Sequence, residues 1–149
     1  MKKQWILVAN SAIARIFGRD SHSDPLVALE TIHHPEGRLP RSELARDRPG
    51  HERSDNSTAA ARFEPHTDPK RKSQQQFARE IAARLDEGLS AGEYEQLWLY
   101  VSSPLLGELK PALSQATDRR VEVVQDIDFT SLDVGEIEKR IRGVSRPVR

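Results

Sequence analysis

The sequence predicts a single mixed α/β domain spanning residues 1–149. Three observations carry this. Apolar runs of strand length occur five times. A long stripe of apolar residues spaced by four begins after Pro69. From there, helical and strand patterns alternate to the end.

Trp5 to Ala9 (WILVA) is a continuous apolar run, the pattern of a strand covered on both faces. Asn10-Ser11 is a turn signal. Ala12 to Phe17 resumes as a second strand, and Leu26 to Ile32 (LVALETI) reads as a third. Short connections between the three imply an antiparallel meander.

Residues 33–69 change character. They hold five of the nine prolines, and no apolar period survives among them. A polar loop of this length is uncommon in a compact domain and is functional or disordered when it occurs. Thr67-Asp68-Pro69 then signals a helix start, because Asp caps and Pro tolerates the first helical position. Phe77, Ile81, Leu85 and Leu89 form the stripe, widened by Ala78 and Ala82, with Gly88 or Gly92 as the stop.

Leu97 to Val101 (LWLYV) is a fourth strand. Ser103-Pro104 opens a second helix with Leu105, Leu106, Leu109, Leu113 and Ala116 on one face, which Pro111 should kink or split. Val121 to Val124 is the fifth strand. Ser131 or Asp133 should cap a last helix whose face is Val134, Ile137 and Ile141, and residues 142–149 read as a basic, frayed tail. The order β-β-β-α-β-α-β-α, with a long polar loop before the first helix, is that of ribonuclease H-like mixed sheets.

Composition bounds the function. Lys plus Arg and Asp plus Glu both number 23, so the formal charge is zero and a chain-wide polyanion-binding role has no support. The absence of cysteine removes disulfides, thiolate metal sites and cysteine nucleophiles. Lys2-Lys3 before an apolar run, with Ala12-Ile13-Ala14 after it, imitates a secretory signal. The run ends after five residues, short of the roughly 7–15 such a segment needs. The expectation is therefore a cytoplasmic protein with no membrane span.

The sequence resembles the bacterial host-attachment-protein family nearly end to end. The resembling segments are WILVAN with ARIF (Trp5 to Phe17), HPEGRL (His34 to Leu39) and DRPG (Asp47 to Gly50). Glu64-Pro65, Thr67-Asp68-Pro69-Lys70, Phe77-Ala78 and Leu106-Gly107 before Leu109 continue the match. The resemblance implies a link to attachment to host cells. One departure is Asn10, where the family pattern leads one to expect Asp. The family is also distantly similar to the middle domain of archaeal and eukaryotic peptide-chain release factors, in which a comparable loop carries Gly-Gly-Gln. The matching segment here, Gly50 to Pro65, reads GHERSDNSTAAARFEP, and the chain contains no Gly-Gly pair, so the peptide-release motif is not carried over.

A ribonuclease H-type nuclease holds two metal ions about 4 Å apart on carboxylates at the strand ends. Here the first strand ends in neutral Asn10 and the fourth in Ser102-Ser103, with Glu80 and Asp133 the acids nearest the expected places. No catalytic residue is assigned. Asp126 and Asp128, two apart, would share a side of an extended chain and suit a hard cation, but they read more simply as a solvated strand end leading to a helix cap. His22, His33, His34, His51 and His66 lack metal-ligand spacing and read as surface histidines, so no metal and no cofactor are expected.

The basic set is more suggestive. Residues 38–72 carry nine basic and six acidic side chains. Arg46, Arg48, Arg53, Arg62, Lys70, Arg71 and Lys72 are the candidate phosphate- or partner-binding residues. The leading reading is a non-catalytic interaction module with a protein partner. The alternative is a cytosolic translation-associated factor touching RNA or the ribosome, without peptide-release activity. A metal-dependent hydrolase ranks last.

Overall fold

The computed structural model describes residues 3–38 and 68–144. Five strands form one mixed sheet: β1 (Gln4–Ala9), β2 (Ile13–Arg19), β3 (Val27–His33), β4 (Gln96–Val101) and β5 (Val121–Gln125). The helices are α1 (Pro69–Ser90), α2 (Leu105–Ala112), the single turn α3 (Gln115–Asp118) and α4 (Val134–Val144), and Pro35–Arg38 forms a 3-10 turn. The sheet order is β3-β2-β1-β4-β5. β1 pairs antiparallel with β2 and parallel with β4, β2 pairs antiparallel with β3, and β4 pairs parallel with β5.

β1 lies at the centre, and all six of its residues are buried. Its side chains alternate between two cores, as a pleated strand requires. Trp5, Leu7 and Ala9 join Leu97, Leu99 and Val101 of β4 beneath α1 and α2. Ile6 and Val8 join Trp98, Tyr100, Phe129 and the Ile137 and Ile141 face of α4 on the other side. The expected meander, the two-sided burial of Trp5 to Ala9 and the alternation after residue 69 are thus present.

Several boundaries differ from expectation, each for a physical reason. Gly88 does not stop α1. Its hydrogen lies against the Trp5 indole, where a Cβ would overlap the ring. The helix ends at Ser90, and Gly92 takes the positive φ of 74° that lets the chain turn away. Pro111 marks a split: α2 stops at Ala112, and Ser114 caps α3 through the Thr117 amide at 3.1 Å. Ser103 does not cap α2, because its hydroxyl is taken by Asp126 at 2.6 Å. Val134 is exposed rather than part of the α4 face. His33 belongs to β3, residues 35–38 form the 3-10 turn, and Arg142 lies in the last turn of α4. The remainder of the 33–69 loop, residues 39–67, and the tail from 145 lie outside the described residues.

β3 is an edge strand of the sheet, with Val27 and Leu29 exposed. Its register slips so that Leu29 has no partner opposite it between Ala28 and Glu30. Such a bulge twists an edge away from casual pairing. The hollow beside it, about 630 Å³, is walled by charges of both signs, among them Lys3, Arg84, Asp24 and Glu93.

Trp5 keys α1 onto the sheet. Its ring stacks on Tyr94 at 4.7 Å between centroids, and the Arg84 guanidinium lies 5.1 Å from its centre. The Tyr94 hydroxyl donates to the Leu85 carbonyl at 2.7 Å, and burial pushes its pKa up to about 12, so it remains a donor across the working pH range. An indole held this way cannot retreat. At an open helix site Gly→Ala stabilises by about 1 kcal/mol. At Gly88 the overlap with Trp5 should outweigh that gain and cost about 1–3 kcal/mol net. Urea denaturation of Gly88→Ala should show a lower midpoint at unchanged slope. A raised midpoint would mean that Trp5 has room to move.

Candidate functional site

The carboxyl ends of β1 and β4 are where the chain leaves two neighbouring parallel strands in opposite directions, β1 towards β2 and β4 towards β5. Ligands of open α/β sheets collect at such a point. Here the end of the sheet is polar and closely hydrogen-bonded. The Asn10 side-chain oxygen accepts from the amides of Ala12 (2.8 Å) and Ile13 (3.1 Å), shaping the β1–β2 turn. Its Nδ2 donates to Asp128 Oδ2 and to Thr130 Oγ1, both at 3.0 Å. Arg15 donates from one Nη to the carbonyls of Thr130 (2.9 Å) and Leu132 (2.6 Å). Asn10 and Arg15 together fasten the β5–α4 connection onto the hairpin.

The two aspartates do different work from a cation pair. Asp126 accepts from both the amide (3.0 Å) and the hydroxyl (2.6 Å) of Ser103, and these bonds hold its carboxyl below the usual range. Partial burial pushes the Asp128 carboxyl up, but the bonds from Thr130 and Asn10 more than reverse this, leaving it lowered as well. Asp133 caps α4 through the Glu136 amide at 2.8 Å. Glu80 is exposed on α1 beside Glu30 and Ala83, away from the Asn10 cluster. Among the described residues no group of three or more His, Asp or Glu could hold a metal ion.

The first turn of α1 reaches the same end. His34 follows β3. Its amide donates to the Ala12 carbonyl at 2.7 Å, its Nε2 lies 2.7 Å from Ser73 Oγ, and its ring stacks on Phe77 at 4.5 Å. His34 is therefore a buried tie between strand, turn and helix, not the surface histidine expected. His22 lies 2.6 Å from the buried Gln4 amide at the opposite end of the sheet, and His33 is exposed. His51 and His66 lie outside the described residues.

Of the expected basic set, Arg46, Arg48, Arg53 and Arg62 also lie outside the described residues. Lys70 is half-buried, while Arg71 and Lys72 are exposed on the opening turn of α1. Arg71 Nε sits 3.4 Å from Glu108 of α2. Asp68 caps the helix through the Lys70 amide at 3.0 Å, yet the first turn holds no acid. Cations at the positive end of a helix cost about 0.3–1 kcal/mol each rather than stabilising it. Gln74, one turn further on, is 1% exposed, and neither of its amide atoms has a hydrogen-bond partner among the described residues. Its pattern position within the apolar stripe gave no warning of this. Asn10 was visible as a departure from the family pattern, but its partners are more than a hundred residues away.

Two outcomes follow for this end of the molecule. Asn10→Asp would face Asp128 with a second carboxylate in place of a donor. At neutral pH it should lose about 1 kcal/mol, the net scale of one hydrogen bond. Millimolar Mg²⁺ or Mn²⁺ should restore melting temperature to that variant and not to the wild type. In the wild type, lowered folded-state pKa values mean that the Asp126 and Asp128 contributions are complete above the unfolded carboxylate range. They are lost as pH falls through the folded values. An Asp126→Asn, Asp128→Asn double variant should therefore show a shallower acid limb in denaturation measured against pH, and an unchanged limb would contradict the staple role.

The family model described as "Protein required for attachment to host cells" matches residues 5–141. No curated protein matches the chain. With the match running from β1 into α4, the chain belongs to the family of proteins required for attachment to host cells.

Proposed function

We propose that this protein is a non-catalytic interaction module on a ribonuclease H-like domain, cytoplasmic in location, whose part in attachment to host cells is indirect and runs through a protein partner. The strand order β3-β2-β1-β4-β5, with an antiparallel half and a parallel half, supports the ribonuclease H-like reading. The observation that carries the rest is at the carboxyl end of β1. Where two-metal chemistry needs an acid, Asn10 stands as a donor to Asp128, and Asp126 is occupied by Ser103. Both carboxylates serve as loop staples. Among the described residues no helix is long and apolar enough to cross a membrane.

A second reading, contact with RNA or the ribosome without peptide-release activity, is favoured by one observation. Arg71 and Lys72 are exposed beside Lys70 on the opening turn of α1, so that positive charge gathers at the positive end of the helix.

The deciding experiment for the first reading is add-back. In a strain lacking the gene, expression inside the cell should restore attachment to host cells, and purified protein applied outside should not. Restoration by external protein would make the role direct and overturn the proposal. Wild-type protein with Mg²⁺ or Mn²⁺ should also leave single-stranded, duplex and hybrid substrates uncut. For the second reading, single-stranded RNA binding should weaken with salt at a log–log slope near about −0.7 per phosphate contact. Lys70→Ala, Arg71→Ala, Lys72→Ala should flatten that slope, and equal binding by the triple variant would remove RNA from consideration.

A further inference from the structure

Gln4 opens β1 at the end of the sheet opposite Asn10, and it is fully buried. Three side chains converge on its amide. Arg19 Nε donates to its oxygen at 2.7 Å. Its nitrogen donates to Gln96 Oε1 at 2.8 Å and lies 2.6 Å from His22 Nε2. A guanidinium can only donate, so the Gln4 atom facing Arg19 is the oxygen and the one facing His22 is the nitrogen. His22 Nε2 therefore accepts, and the ring hydrogen sits on Nδ1. The same glutamine fixes the Arg19 fork. Its Nε is held by Gln4, and the Nη groups are the donors that remain. The guanidinium lies 5.0 Å from the centre of the Trp98 ring, with His22 tilted against that indole at 5.2 Å. Beside it is a cavity of about 210 Å³, lined by Arg19, His22, Trp98, Ile141 and Arg142.

Two arginines on one cavity repel each other. Burial is the largest cause lowering the Arg19 pKa, and Arg142 lowers it further, while Tyr100, Glu138 and Asp24 act the other way. Of the two acids, Glu138 already accepts the Leu26 amide at 2.6 Å, and neither forms an ion pair with Arg19 among the described residues. The carboxyl end of α4 favours Arg142 in its last turn, but a strand offers Arg19 no comparable dipole. The residues after Arg142, GVSRPVR, contain no acid. A half-buried charge of this kind is costly without a bonded anion. A planar carboxylate presents one edge and saturates one fork, whereas a tetrahedral phosphate can present oxygens to two forks at once. The cavity is many times the roughly 10–15 Å³ that admits one water, so it has room for a small ester. Ile141 and the Trp98 indole give that ester an apolar wall.

We infer that this cavity binds a phosphate group, free or as the ester of a small molecule, between the Arg19 and Arg142 guanidiniums. It lies at the other end of the sheet from the opening turn of α1, so it stands or falls apart from the RNA reading.

The test uses the full chain, isotope-labelled for NMR and titrated at constant ionic strength with inorganic phosphate, glycerol phosphate and acetate. Trp5 and Trp98 belong to the cores on opposite faces of the sheet, so their indole N–H signals report the two sides separately. Both phosphates should shift the Trp98 signal saturably and leave that of Trp5 in place. Acetate should bind at least about tenfold more weakly, the scale of one lost charge-assisted contact. Tighter binding of glycerol phosphate assigns the group to an ester, and tighter binding of the free ion assigns it to inorganic phosphate. Arg142→Gln removes an exposed charge and leaves the core untouched, and should weaken both phosphates about tenfold. Arg19→Lys keeps the charge, loses the fork and should weaken them similarly. Arg140→Gln removes a charge from the same helix outside the cavity and should leave their affinity unchanged. The inference is overturned by any of four results: no saturable Trp98 shift in wild type, acetate binding as tightly as phosphate, wild-type affinity in either cavity-arginine variant, or an equal loss in Arg140→Gln.

Discussion

Two-sided burial of β1 is the constraint on which the other elements depend. A strand covered on both faces must send alternate side chains into two separate cores. Trp5, Leu7 and Ala9 therefore require α1 and α2 on one side, and Ile6 and Val8 require α4 on the other. Both edges of β1 are taken as well, by β2 and by β4. A central strand of this kind cannot be built until the chain has travelled from the meander to the last helix. Residues at both ends of the sequence thus belong to one cooperative unit. The Trp5 ring shows how closely the layers meet: it lies on Tyr94, under Arg84 and against the bare backbone of Gly88.

The same arrangement concentrates polar chemistry at the carboxyl end of the sheet. β1 stops at Asn10, β4 stops before Ser103, and the β5–α4 connection brings Asp126, Asp128 and Thr130 across both. In a structure with an acid at position 10, two carboxylates would meet across about the space of one hydrogen bond, an arrangement that asks for a cation. With an amide there, the same contact closes on itself. One nitrogen in place of one oxygen separates a staple from a cation site, without any change in the path of the backbone. The opposite balance holds on the α1 side, where the buried Gln74 amide has no hydrogen-bond partner among the described residues and Lys72 and Arg71 stand on the opening turn of the helix.

The family match and the geometry bear on different levels of function. The match places the chain among proteins required for attachment to host cells. The geometry speaks to chemistry at one end of one sheet. An attachment phenotype does not require contact with the host, because a protein that relays a signal can affect adhesion from a distance.

Element type and order were legible in the sequence because each depends on local periodicity. WILVA is apolar without interruption, LWLYV likewise, and the four-residue spacing from Phe77 to Leu89 belongs to a helix. Some ends were legible too: Asp68 and Pro69 open α1, and Asp133 caps α4. Of the two glycines that could stop α1, Gly92 does so, whereas Gly88 admits a ring from residue 5, which no local pattern records. The candidate site was legible only in part. Asn10 stood out by comparison with a family pattern and Lys70 to Lys72 by their charge. That Asn10 meets Asp128, that His34 is buried on Ser73, and that Gln74 has no partner among the described residues were decided by tertiary structure alone. The reason is physical. Helix and strand patterns are set by neighbours a few residues apart, whereas the pairing of a polar group depends on which distant segments the two cores draw together around β1.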